Sequence, residues 1–224
     1  MHLWLTPTPY VRVTPESARE RYVVARTDPL GNRCDRVLRL HCRQVNHTPD
    51  NIYLQIDRAQ RIFGKYGIFL QVASIAALRM SNTDLTRLTS IVTECFADQS
   101  TVAQDDLYRR FGVQDLASVN AFFVQRLPVP AHPPLQQEEP LDGCAGHVPH
   151  RPMVLVAAFA DTITLAHELG HVLLAHAPDH LREHSTGPVD VMREGRDDVT
   201  TFKSARFSIV QLEWIRRSPL LLAC

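Results

Sequence analysis

Hydrophobic and polar positions alternate with a two-residue period from Val37 to Cys42, the pattern of a strand with one buried face. Thr48, Pro49 and Asp50 follow as a helix start, with a capping hydroxyl, a proline at the first helical position and an acid in the first turn. From there the period lengthens, setting Ile52, Ile56, Ala59, Phe63 and Tyr66 on one helical face, and Gly67 stands where a helix ends. Ile68 to Val72 predicts a second strand, and strand, helix and strand in this order predict a βαβ unit on a sheet.

Residues 1 to 35 read as an irregular lead-in. Helical pieces are expected over Leu85 to Phe96 and Val102 to Phe111, and a third strand over Asn120 to Leu127. Prolines crowd the stretch from Pro128 to Pro152, which predicts a long loop of the kind that often carries function. Met153 to Phe159 predicts a fourth strand. Asp161 or Thr162 is placed to cap a helix running through His167 and His171, which Pro178 must end or kink. A last helix fits Ser204 to Arg217, with Phe207, Val210 and Trp214 as its core stripe. No repeat or low-complexity segment interrupts the chain.

Composition narrows the function. The 224 residues are 45% hydrophobic, enough for one domain with a real core, and 24 basic residues balance 24 acidic ones. That balance argues against a nucleic-acid partner bound through phosphate neutralisation. The longest apolar stretch, Met153 to Ala160, is far below a membrane span, and the N-terminus shows no signal-peptide pattern, so a soluble cytoplasmic protein is expected. Five cysteines, at 34, 42, 95, 144 and 224, contain no C-x-x-C pair, which predicts reduced thiols rather than a disulfide framework. The excess lies in histidine, 11 in number, the side chain best suited to bind a transition metal.

The chemistry concentrates at His167-Glu168-Leu169-Gly170-His171. On a helix, residues four apart stand one turn away and roughly 40° round, so both imidazoles reach one ion. Glu168 then lies beside that ion, within reach of a water on it, and the H-E-x-x-H spacing is that of metal-assisted hydrolysis. A third ligand must come from downstream. His176, His180 and His184 are the histidine choices, with Glu194 and Glu213 as carboxylates. A continuing helix would turn His176 away from His167, whereas His180 and His184 follow Pro178, where the chain can fold back.

The run from His184 through Ser185 and Pro188 to Met192, taken with residues 164 to 171, resembles the metzincin clan of zinc metallopeptidases, in particular its matrixin-like branch. The resemblance implies an α+β, α/β/α zincin-like fold. A small mixed twisted sheet, with an antiparallel edge strand, covers a zinc-binding helix, a turn beneath the metal and a final helix. It implies His167, His171 and His184 as ligands of Zn2+, Glu168 as the general base and Met192 as the turn methionine. It makes Met153 to Phe159 the sheet edge along which an extended peptide substrate lies. The chain reads as a single catalytic domain over 1 to 224, with an N-terminal subdomain to about 177 and a smaller C-terminal one from 178.

One departure is plain. His184 follows His171 by thirteen residues where the family has six, and Leu174 stands where its glycine belongs, which keeps His180 open as the third ligand. Cys144 or Cys34 is a candidate thiolate for the open zinc position, and His147 and His150 are placed to line the cleft. Two readings follow: a zinc metalloendopeptidase, or a metal-stabilised module of the same fold that binds peptides without cleaving them.

Overall fold

The computed structural model describes residues 34–46, 51–81, 83, 102–125, 127, 142–146, 151–182, 190–193 and 205–224. Its centre is a six-stranded sheet: β1 (Arg36–Val45), β2 (Ile68–Leu78), β3 (Ser118–Val124), β4 (Gly143–Gly146), β5 (Met153–Ala157) and β6 (Leu221–Ala223). The order across it is β2-β1-β3-β5-β4, with β6 paired to the start of β1. Strands β1, β2, β3 and β5 run parallel, whereas β4 and β6 are antiparallel to their neighbours.

Helix α1 (Asn51–Gly64) joins β1 to β2, as the change of period predicts. It buries Ile52, Ile56, Ala59, Ile62 and Phe63, and Gly67 closes its exit at φ 72°, a left-handed conformation that favours glycine. The start signals at 48 to 50 lie outside the described residues. Helix α2 (Val102–Phe111) matches its expected bounds, while the piece over 85 to 96 also falls outside them. Helix α3 (Thr164–Leu174) carries the H-E-x-x-H motif and packs on α1, β4 and β5. A short turn of helix, α4 (Asp179–Arg182), follows Pro178, and α5 (Ile209–Ile215) packs against α3. No helix among the described residues is long and apolar enough to cross a membrane.

Four expectations are corrected. The sheet edge is β4, within the stretch read as a loop, and Met153–Ala157 lies inside the sheet between β3 and β4. All five residues of β5 are buried, as an interior strand requires. The last helix starts later than expected, behind a capping box formed by Ser208 and Gln211, so Phe207 precedes it and Val210 is exposed; Phe207 alone of the expected stripe is fully in the core. The C-terminus returns to the sheet, where Leu221–Ala223 pair with Arg36–Leu38 and Cys224 is bonded to Cys34. Cys144 is disulfide-bonded as well, so neither Cys34 nor Cys144 is a thiolate available to a metal, and Cys42 is a free, buried thiol.

Candidate metal centre

Helix α3 is buried on nearly every side. Of its residues 164 to 174, only His167 and His171 are not buried, so the helix opens to its surroundings at these two imidazoles. Their Nε2 atoms face each other at 3.1 Å, with the rings edge to face and centroids 4.7 Å apart. The Nδ1 of His167 lies 2.8 Å from the carbonyl oxygen of Val191. A carbonyl only accepts, so Nδ1 carries the proton and Nε2 presents a bare lone pair towards His171. Two nitrogens bound to one tetrahedral zinc at about 2.05 Å stand about 3.3 Å apart, close to the spacing seen here. The pair fits a zinc ion, and among the described residues no third His, Cys, Asp or Glu completes a cluster.

The Val191 carbonyl is itself held. Asp190 accepts the Met192 N–H through Oδ1 at 2.9 Å and the Arg193 N–H through its own carbonyl at 3.1 Å, which makes a tight turn, and the Val191 N–H donates to the Arg206 carbonyl at 2.9 Å. The segment at 205 to 207 is fastened to the end of α1 by Lys65, which donates to the Ala205 carbonyl, and by the Tyr66 hydroxyl, which accepts the Phe207 N–H. Met192 is fully buried beneath α3 at Gly170. A Cβ at residue 170 would collide with its sulfur and stand 3.1 Å from Phe207, so the glycine is what admits the methionine.

Glu168 is buried, with its carboxylate against Gly143 of β4. Burial first, and the charge of Asp142 second, push its carboxyl up to about 8. Asp142 leads into β4, where its side chain accepts the Asp161 N–H and its carbonyl accepts the Ala157 N–H.

The start of α3 is held by a residue that sequence reasoning passed over. Neither Asp161 nor Thr162 caps the helix; the N-cap is Ile163, without any side-chain cap. Gln55, buried on α1, takes that role across the fold: its Oε1 accepts the Leu165 N–H at 3.0 Å and its Nε2 donates to the carbonyls of Ala160 and Asp161. Its position on a predicted helix between apolar neighbours gave no local sign of this.

The remaining candidates separate cleanly. His176 is exposed beside Trp214, 5.7 Å between ring centroids, and Glu213 is exposed on α5. His180 falls in α4. His184, Glu194, His147 and His150 lie outside the described residues.

No family model and no curated protein matches the sequence. Among solved structures, metalloproteinase-II from Bacteroides fragilis superposes on 88% of this chain with a TM-score of 0.52 at 12% sequence identity. The chain spans 57% of the length of that structure. At this identity the likeness is one of fold: the mixed sheet and its helices are built as in a metalloproteinase.

Proposed function

We propose that the protein is a zinc-dependent metallopeptidase. The observation that carries the reading is the paired Nε2 atoms of His167 and His171, held 3.1 Å apart with one tautomer fixed by Val191, beside the buried carboxyl of Glu168. The fold shared with a metalloproteinase supports it. His184 is the proposed third ligand, with His180 as the alternative, and Met192 is the turn methionine beneath them. Zinc bound there would polarise a peptide carbonyl and acidify a water, the two services that make amide hydrolysis fast near neutral pH.

The chain's own residues supply the rest. The Val191 carbonyl, by accepting the His167 Nδ1 proton, turns that imidazole so that its Nε2 faces His171. Glu168 takes the proton from the attacking water and delivers it to the leaving amine nitrogen. An extended peptide is the proposed substrate, added to β4, whose one strand neighbour among the described residues is β5. The disulfides at Cys34–Cys224 and at Cys144 support an oxidising compartment in place of the cytoplasm expected from the N-terminus.

The test is metal content and peptide cleavage for the wild type beside Glu168→Ala, His180→Ala and His184→Ala. Glu168→Ala is expected to keep zinc and lose turnover by at least ~100-fold. One of the two histidine variants is expected to lose zinc. Stoichiometric zinc in a wild type that cleaves nothing would favour the peptide-binding module, and full turnover in Glu168→Ala would sink the mechanism.

A further inference from the structure

We propose that Gly143 is a positioning residue for Glu168: by presenting bare backbone, it lets the edge strand lie directly on the carboxylate and so sets where that group stands. The inference takes its catalytic meaning from the metallopeptidase reading, but the contact itself does not depend on it.

A Cβ on residue 143 would stand 2.7 Å from the Glu168 Cγ, closer still to its Oε1, and 2.6 Å from the Thr164 Cγ2. Real Cβ atoms do not come so near, so a side chain here must displace something. The backbone does not require glycine for conformation. Gly67 is the one glycine among the described residues with positive φ, so residue 143 adopts a backbone that any residue can take. Space alone excludes a side chain.

The strand has little freedom to back away. Gly143 pairs with Val156, and on its N-terminal side the Asp142 carbonyl accepts the Ala157 N–H at 2.8 Å. Thr164 is equally constrained, for it is buried in the first turn of α3, where the next amide is held by Gln55. The Glu168 side chain is the movable partner, with rotatable bonds between its carboxylate and the helix. An alanine at 143 therefore shifts the carboxylate, and a general base moved by about 1 Å loses on the order of 100-fold in rate.

Two measurements on Gly143→Ala, Glu168→Ala and the double variant test this. The first is thermal unfolding of the metal-free proteins. Gly143→Ala is expected to lower Tm by about 5 °C in the wild type, and by less when Glu168 is already alanine, the loss that remains being the Thr164 contact common to both backgrounds. An equal loss in both backgrounds overturns the proposal. If Gly143→Ala does not fold, a folded double variant supports the contact and an unfolded one overturns it.

The second is steady-state kinetics on the zinc-loaded enzyme. Gly143→Ala is expected to retain stoichiometric zinc and lose kcat by at least ~10-fold with KM within about twofold. A loosened edge strand would instead raise KM. Unchanged kcat in Gly143→Ala beside an inactive Glu168→Ala overturns the positioning role alone. A wild type without zinc-dependent cleavage removes the metallopeptidase reading, and the Tm comparison then still decides whether Gly143 places Glu168.

Discussion

His41 sits on the face of β1 that alternation also gives to Arg39 and Arg43, opposite Leu40 and Cys42. Its Nδ1 pairs with the Ser74 hydroxyl at 2.8 Å, its Nε2 is buried without a partner among the described residues, and the neighbouring Arg43 donates to the same hydroxyl. Burial first, then the charges of Arg43 and Arg39, outweigh the opposing pull of Asp115 and bring its pKa down to about 4. Between pH 6.5 and about 4 the unfolded chain therefore binds a proton at this residue that the folded chain refuses. Stability rises with pH wherever the unfolded state holds more protons, so His41 weakens the fold as pH falls through that window and adds no further loss below it. The penalty is on the order of 3 kcal/mol. His41→Gln removes the titration, and its Tm at pH 7 minus that at pH 4.5 should be smaller than the wild-type difference. Equal differences would show that the acid sensitivity lies elsewhere. At this scale the sequence is a mixed guide. His167 and His171 meet because a four-residue spacing on a helix is local geometry, whereas the solitary Nε2 of His41 depends on Ser74, brought alongside by strand pairing, and nothing in residues 37 to 42 announces it.

Among elements, α3 depends most on a distant neighbour. Its first amides would be orphans in a buried helix end, and Gln55 supplies both an acceptor for Leu165 and a donor to the preceding carbonyls. Gln55→Leu keeps the volume roughly constant while removing three hydrogen bonds at a buried site. It is expected to cost about 2–4 kcal/mol in denaturant unfolding and to weaken zinc binding, since His167 stands two residues beyond the amide that Gln55 holds. A loss below about 1 kcal/mol would mean that water satisfies the helix end. Where patterns were local, elements were legible: α1 and α2 form where helices were expected, and β1 and β2 form where strands were expected but run on to Val45 and Leu78. The misses share one cause. Strand β4 reads Gly-Cys-Ala-Gly inside a proline-rich stretch, with no alternation to betray it, and it is a strand because β5 offers a free edge. The same absence of side chains that hid it brings Gly143 onto Glu168.

Over the whole molecule, the ends of the described fold are tied together. The Cys34–Cys224 bridge joins residues 190 apart in sequence, and β6 lies antiparallel on β1 just beside it. No sequence rule pairs a cysteine near the start of the first strand with the last residue of the chain, which is why the odd count read as free thiols. Closing a loop of that length removes unfolded-state entropy equivalent to about 5 kcal/mol, an upper figure for what the bridge contributes. The Cys34→Ser, Cys224→Ser double variant should therefore melt roughly 10 °C below the oxidised wild type. Its Cys144 bridge stays intact, so any further fall on adding reductant measures that second bridge. Cys42 does not confuse the comparison: burial pushes its thiol up to about 12, and it should react with a thiol reagent only after unfolding. The proposed metal ligands His167 and His171 lie on α3 and not on β1 or β6, so the serine variant should bind zinc as the wild type does below its lower Tm. Loss of zinc at temperatures where the variant is still folded would show instead that the bridge shapes the site.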